Sequence, residues 1–137
     1  LMIHSLSAQG RNVLAIDGDI NQHLGAALGF APTELNRIKK LGQHQDILQN
    51  YVRGTNARIH DSSHIIESTP AGTGSGFVTR HSQNIITEAF MLTRNNLRFV
   101  AVGGHEEQDV GATCFHKFTG AEGIFLNHYL DETDEYV

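Results

Sequence analysis

The sequence predicts a single α/β domain, and three features of the chain support this prediction. Residues 13–16 and 99–102 are continuous apolar runs with the length and composition of strands buried on both faces. The segments around these runs carry apolar residues at helical spacing. The 137 residues suffice for one domain, and helices that alternate with buried strands are typical of layered α/β folds.

Composition narrows the class of protein. Hydrophobic residues make up 39% of the chain, which excludes a disordered polar tail. The formal net charge of -5 argues against a nucleic-acid binder, which normally presents a basic face. No membrane segment or signal peptide is evident, and a single cysteine fits a reducing compartment. We therefore predict a soluble, cytoplasmic protein.

The first two predicted helices both end at a glycine. Residues 1–9 have apolar positions at helical spacing, and Gly10 suits the left-handed conformation that closes many helices. Residues 21–28 form a shorter predicted helix that is closed by Gly29. No residue precedes the first helix to cap it, which fits a truncated chain as well as a frayed end.

The clearest predicted helix covers residues 33–53. Thr33 is a suitable cap, Glu34 suits the positive end of the helix dipole, and Gly54 suits the end of the helix. Gly42 inside this segment costs about 1 kcal/mol relative to alanine, so a break there is an alternative.

Residues 55–81 are polar and rich in glycine, which indicates a functional or mobile loop. The run 70–76 lacks the Lys-Ser/Thr pair that ends a phosphate-binding loop, and we predict a flexible loop instead. Ser82 is then predicted to cap a helix. The buried positions of that helix are predicted to be Ile85, Ile86, Ala89 and Phe90.

A capping box predicts the start of the last helix. Thr119 and Glu122 have the spacing at which each side chain bonds the backbone amide of the other residue. The apolar face of the last helix is predicted to carry Phe125, Leu126, Tyr129 and Leu130.

Residues 134–137 are predicted to be a polar turn leading into a strand.

Two carboxylates, Asp17 and Asp19, directly follow the first predicted strand. Open α/β sheets bind ligands at the carboxyl ends of their strands. Carboxylate and amide oxygens there can hold the water shell of Mg²⁺ or orient a water near a phosphate. Asp17, Asp19 and Asn21 are therefore candidate site residues, and an ordinary Asp-Gly-Asp turn is the alternative.

Cys114 and His116 are candidate metal ligands. One chain offers only two such ligands, whereas a two-fold dimer would supply a Cys₂His₂ set for zinc or nickel. A buried inert cysteine and a Cys–His nucleophile pair are the alternatives. His60 and His64 have the spacing of a helical zinc site, but residues 61–63 favour turns, which predicts solvated loop histidines.

The order of these pieces resembles that of the MinD/ParA-type deviant P-loop ATPases. The closest resemblance is to the ATPases that assist nickel insertion during maturation of carbon monoxide dehydrogenase. It covers most of the chain and is weakest over residues 55–81. The matching pieces are the helix 1–9, the strand 13–16 with the switch at 17–21, the segment 24–29, the strand at 97–104, the Cys-x-His motif at 114–116, residues 126–128 and the strand at 134–137.

The resemblance implies a three-layer parallel sheet flanked by helices, P-loop NTPase-like and incomplete, with residues 1–137 as a single partial domain. It implies ATP and Mg²⁺ as cofactors, with Asp19 orienting or activating the attacking water. Asp17 would support Mg²⁺ through its water shell, and Asn21 is a further candidate for cofactor binding. Ile20 stands where proline is usual in this switch.

The resemblance also implies that Cys114 is a metal ligand or a dimer-contact residue. As ligands, Cys114 and His116 would hold Ni²⁺ or Zn²⁺ at a homodimer interface. His116 replaces the second cysteine of the family's motif, which puts the identity of the metal in doubt. The expected function is part of an ATP-hydrolysing dimeric switch that assists metal insertion into a metalloenzyme client.

The lysine-bearing phosphate loop would precede Leu1 and the Walker B aspartate would follow Val137, so we expect the chain alone to be inactive. Two alternatives stay open. One is a non-catalytic metal-binding or protein-interaction module built around Cys114 and His116. The other is a ParA-like partitioning ATPase, for which no basic or amphipathic surface segment stands out.

Overall fold

The computed structural model describes residues 2–19, 21–79, 84–103, 114–130 and 135–136, which form an α/β fold. The helices are α1 (Met2–Ala8), α2 (Leu24–Ala27), α3 (Pro32–Arg37), α4 (Gln45–Arg53), α5 (Ile85–Phe90) and α6 (Cys114–Asn127), with a 3₁₀ turn at Ser62–His64. The strands are β1 (Val13–Asp17), β2 (Val78–Thr79), β3 (Met91–Arg94), β4 (Leu97–Ala101), β5 (Tyr129–Leu130) and β6 (Glu135–Tyr136). The predicted fold class is confirmed at the level of α/β.

The main sheet has the strand order β3-β4-β1-β6, and β2 pairs with β5 separately. β1 is parallel to both of its neighbours, with Val13 opposite Leu97 and Asp17 opposite Ala101 in β4. The predicted strands at 13–16 and 97–102 and the strand near 134–137 are therefore confirmed.

The sheet is mixed because β3 is antiparallel to β4, a hairpin that the sequence analysis missed. Asn95 in its turn has a φ of 53°, the left-handed conformation that asparagine tolerates in tight hairpins. The outer half of β3, Thr93 and Arg94, is exposed, so β3 lacks the continuous apolar run of a buried strand.

Hydrophobic clusters cover both faces of β1. Leu14 belongs to a cluster that contains Leu48 and Phe125, whereas Val13 and Ala15 belong to a second cluster around Phe99. Alternate residues of a strand point to opposite faces of the sheet, so the two clusters lie on its two sides. β1 is thus buried on both faces, as its continuous apolar run predicts.

Gly10 ends α1 as predicted. Its φ is 77°, and its N–H donates to the carbonyl of Ser7 at 3.0 Å. The N–H of Arg11 donates to the carbonyl of Leu6 at 3.2 Å, which completes a Schellman cap. Two carbonyls at the end of α1 are satisfied before the chain enters β1.

The single helix predicted over residues 33–53 is wrong, because residues 38–44 interrupt it, and the alternative of a break at Gly42 is confirmed. Leu41 and Gly42 donate their N–H groups to the carbonyls of Ala101 and Val102, at 3.0 and 2.8 Å. These tertiary hydrogen bonds replace the helical ones, and they fasten the interruption to the end of β4.

The cap predicted at the start of that helix is wrong, whereas the predicted end is confirmed. The N-cap of α3 is Ala31 rather than Thr33. The N–H of Ala31 donates to the Glu34 carboxylate at 2.7 Å. Gly54 follows the last residue of α4, as predicted. Glu34, rather than Thr33, therefore indicated where the helix starts.

The glycine run at 70–76 packs against the end of α4 instead of forming a free loop. The N–H of Gly76 donates to the carbonyl of Val52 at 2.9 Å, and the N–H of Thr55 donates to the carbonyl of Gly74 at 2.8 Å. A Cβ on Gly76 would overlap the carbonyl oxygen of Tyr51. Glycine here allows two backbone segments to approach closely.

α5 has a different cap from the predicted one. Asn84 accepts the N–H groups of Ile86 and Thr87 at 2.9 and 3.0 Å, and Ser82 lies outside the described residues. Ile85 was predicted to be buried but is 58% exposed. The other three predicted positions are buried or half-buried.

The predicted capping box at the last helix is wrong. α6 runs from Cys114 to Asn127, so Thr119 lies in its interior and Glu122 is not in its first turn. Leu126 is 39% exposed, and the residues from Tyr129 onward belong to β5 rather than to the helix. Of the predicted apolar face, Phe125 is buried within α6.

Candidate functional site at the carboxyl end of the central strand

Asp17 is the last residue of β1, and its side chain is only 3% exposed. One carboxylate oxygen accepts the N–H of Asp19 at 3.2 Å, and the other accepts the N–H of Leu24 at 3.1 Å. The carbonyl of Asp17 accepts the N–H of Val102 at 3.0 Å. Asp17 therefore joins the end of β1, the acidic turn and the start of α2.

Asp19 occupies the outer part of the same turn and is exposed. Its carbonyl accepts the N–H of Gln22 at 3.3 Å, and the φ of Gln22 is 53°, so the chain reverses there. Within the described ranges, no hydrogen bond or ion pair occupies the Asp19 carboxylate. Asn21 is also exposed, whereas Ile20 lies outside the described residues.

The helix predicted over residues 21–28 is shorter in the structure, because the acidic turn occupies the first of these residues. α2 begins only at Leu24, after the reversal at Gln22. Its end at Gly29 is confirmed, since the φ of Gly29 is 89°. The structure thus brings Asp17, Asp19 and Asn21 together on one turn at the carboxyl edge of the sheet.

A third carboxylate lies at this turn and was missed by the sequence analysis. Oε2 of Glu122 is 3.3 Å from the position that a Cβ on Gly18 would take. Glu122 belongs to α6, about a hundred residues away in the chain, so local sequence patterns hold no sign of the contact. The sequence pattern had also placed Glu122 in a capping box at the start of the last helix, not beside the acidic turn.

The acidic turn suits the water shell of a hard cation better than direct enclosure of the cation. Both oxygens of Asp17 already accept backbone N–H groups, whereas the Asp19 carboxylate is open to solvent. Among the residues that the structure describes, no three His, Cys, Asp or Glu side chains are grouped to hold a metal ion. A magnesium ion at this turn would therefore keep most of its own waters.

The candidate metal ligands Cys114 and His116 are placed only at the level of the backbone. Both belong to the first turns of α6, and their side chains lie outside the described part of the chain. The histidines His60 and His64 are exposed, in agreement with the predicted solvated loop residues.

One carboxyl group with a perturbed pKa lies near these histidines. The backbone N–H of Ser63 donates to Asp61 at 2.9 Å, and this hydrogen bond lowers the pKa of the Asp61 carboxyl below its ordinary value. Asp61 caps the 3₁₀ turn in this way. Its perturbation has a structural cause, so it does not mark a second site.

Over the described ranges, no helix combines the length and the apolar character that a membrane span requires. No protein-family model, curated protein or solved structure matches the chain. The geometry of the acidic turn is consequently the basis for a functional proposal.

Proposed function

We propose that this chain is part of an ATP-binding and ATP-hydrolysing switch protein of the MinD/ParA type. The observation that carries the proposal is the difference in burial and hydrogen bonding between two carboxylates. Buried Asp17 holds the turn at the end of the central parallel strand, and exposed Asp19 stands on that turn with its carboxylate unoccupied by described residues.

The position of the turn supports this proposal. β1 lies between two parallel neighbours, β4 and β6, and open α/β sheets bind ligands at the carboxyl ends of such strands. Apolar clusters on both faces of β1 fit the three-layer parallel sheet that we propose for the complete domain. In this arrangement β3 is an added antiparallel edge strand, which is common in such sheets.

The proposal assigns different roles to the acidic residues. Asp19 orients the attacking water or accepts its proton, because its carboxylate is exposed and available. Asp17 is a positioning residue that fixes the backbone on which Asp19 stands. Asn21 adds an amide at the exposed side of the turn. Mg²⁺, when bound with the nucleotide, would neutralise the phosphates next to these acids.

The acidic turn cannot hold a triphosphate alone. Three carboxylates, Asp17, Asp19 and Glu122, lie at or beside the turn, and carboxylates repel phosphate oxygens. Phosphoryl transfer relies on backbone amides, lysine and Mg²⁺ around the phosphates. In this proposal, a lysine-bearing cradle outside these 137 residues supplies those groups.

The specific role proposed for the intact protein is accessory to metal insertion. Two subunits would enclose nucleotide, and hydrolysis would open the dimer to release Ni²⁺ or Zn²⁺ to a metalloenzyme client. Cys114 and His116 would hold that metal at the dimer interface, since each chain supplies two ligands and a tetrahedral site needs four. This part of the proposal derives from the family resemblance of the Cys-x-His motif.

Calorimetric titration with Mg-ATP tests the proposal. The full-length gene product that contains these residues should bind Mg-ATP with micromolar affinity, whereas residues 1–137 alone should not. A full-length product that does not bind Mg-ATP contradicts the ATPase proposal. Micromolar binding by residues 1–137 alone contradicts the inference that the phosphate cradle lies elsewhere.

A further inference from the structure

The helix α3 is weakly anchored to the rest of the fold. None of its six residues, Pro32–Arg37, is buried. Its half-buried Leu35 packs on the cluster that contains Phe99. A helix of this length is not stable in isolation, so its stability depends on its tertiary contacts. A segment with few buried apolar contacts opens locally at a lower free energy than the core of the protein.

A cavity of about 90 Å³ lies between α3 and the sheet. Leu35 and Asn36 line it from α3, whereas Asp17, Phe99 and Ala101 line it from β1 and β4. Groups that face a void lose the packing contacts that they would make in a filled core. The packing of α3 on the sheet is therefore incomplete.

Buried residues lie on both sides of α3. Phe30 precedes the helix and is 4% exposed, and Ile38 follows it and is 7% exposed. The N–H of Lys39 donates to the carbonyl of Ala89 at 2.7 Å, which fixes the backbone directly after Ile38. The helix thus lies between two anchored points, and it can leave the sheet without separating β1 from β4.

The side chain of Arg94 connects this region to the edge strand β3. Its guanidinium donates to the carbonyl of Gly29 at 3.1 Å and to the carboxylate of Glu34 at 3.3 Å. It also lies over the ring of Phe30, 4.6 Å from the ring centroid, in a cation–π contact. The side chains of the ion pair are 43% and 40% exposed, so water screens the pair and its contribution is small.

We propose that α3 is a lid over the carboxyl ends of β1 and β4, and that Arg94 holds this lid closed. In the open state α3 separates from the sheet while β1 and β4 stay paired. Opening removes the wall that faces Asp17 and Phe99 and joins the cavity to solvent. This inference concerns the fold itself and involves neither Asp19 nor a nucleotide, so it can fail without the proposed function failing.

Amide hydrogen exchange of the protein without nucleotide, followed by NMR, tests this inference. The N–H of Leu35 donates to the carbonyl of Ala31 at 3.0 Å and reports on α3. The N–H of Val13 donates to the carbonyl of Asn96 at 2.8 Å and reports on the sheet. We expect Leu35 to exchange through local opening, with a protection factor about 100-fold or more below that of Val13.

Three substitutions identify the contact that holds the lid. Arg94→Met removes the guanidinium, and it should lower the protection factor of Leu35 about threefold to tenfold and leave that of Val13 unchanged. Glu34→Gln removes the charge but keeps the capping acceptor, so it should act in the same direction and less strongly. Arg58→Met removes an exposed arginine between α4 and the 3₁₀ turn and should change neither protection factor.

Three results would overturn the inference. Equal protection of Leu35 and Val13 would show that α3 opens only when the whole protein unfolds. An equal loss of protection at both amides in Arg94→Met would indicate a global destabilisation instead of an opened lid. Unchanged protection of Leu35 in both Arg94→Met and Glu34→Gln would show that this contact does not hold α3 closed.

Discussion

The carboxylate of Asp17 accepts the backbone N–H of Leu24 at 3.1 Å, so the end of β1 is tied to the start of α2 across the acidic turn. This contact explains why two aspartates two residues apart have different environments. Asp17 is buried and engaged in holding backbone, whereas Asp19 is exposed. Asp17 thus stabilises the acidic turn, and the carboxylate of Asp19 on that turn is exposed to solvent.

Asp17→Asn should destabilise the fold. The new NH₂ group would face a backbone N–H that now donates to a carboxylate oxygen, and a lost hydrogen bond to a charged group costs about 1.5–3 kcal/mol. Urea unfolding measures the change in free energy. Asp46→Asn, at an exposed position in the first turn of α4, is the control and should cost less than about 1 kcal/mol. Equal costs in the two variants would show that Asp17 does not hold the turn.

Gly76→Ala should destabilise the chain by about 1–3 kcal/mol or more, because its Cβ would overlap the backbone of Tyr51. Gly72→Ala is a matched control in the same run, since its Cβ would meet only the side-chain amide of Asn56 at 3.3 Å. Thermal unfolding of the two variants checks the difference. Similar melting temperatures for both would mean that this segment does not pack against α4.

Asp61 should titrate below its ordinary pKa of 3.8, because the N–H of Ser63 favours the charged carboxylate. The folded pKa is lower than the unfolded one, so the stabilisation by this cap is present above the unfolded pKa. It is lost as the pH falls through the folded pKa. NMR titration of the Ser63 amide should show this inflection, and Asp61→Asn should abolish it. An inflection at or above 3.8 would contradict the assignment.

Equilibrium dialysis with Ni²⁺ and Zn²⁺ tests the metal proposal. The intact protein should bind one ion per dimer, because each chain contributes Cys114 and His116. Cys114→Ala should abolish that binding, since a pair of remaining histidines cannot complete a four-ligand site. His64→Ala, at an exposed histidine, should leave it unchanged. An unaltered metal stoichiometry in Cys114→Ala would rule out this site.

The features that the sequence predicted correctly depend on local signals. The continuous apolar run of β1 identified a strand buried on both faces, and Gly10 identified the end of α1. Asp17 and Asp19 were assigned to the carboxyl end of a strand, and the structure places them there. Each of these inferences needed only a few neighbouring residues.

The features that were missed depend on contacts between distant residues. Gly42 made a break in the long helix an alternative, but the hydrogen bonds from residues 41 and 42 to the end of β4 that cause the break could not be predicted, because the apolar spacing on both sides of it is helical. Glu122 reaches Gly18 from another part of the chain. The roles of Asp17 and Asp19 could not be distinguished from the sequence either, because burial and hydrogen bonding separate them.

Steady-state ATP hydrolysis by the full-length gene product, with and without Asp19→Asn, is the most direct test of the account. If Asp19 orients or activates water, kcat should fall by about 100-fold or more, whereas the affinity for Mg-ATP should change little. Asp46→Asn should retain the wild-type rate, which controls for the loss of one exposed charge. A wild-type kcat in Asp19→Asn would contradict the central claim that the exposed carboxylate of the acidic turn serves the reaction.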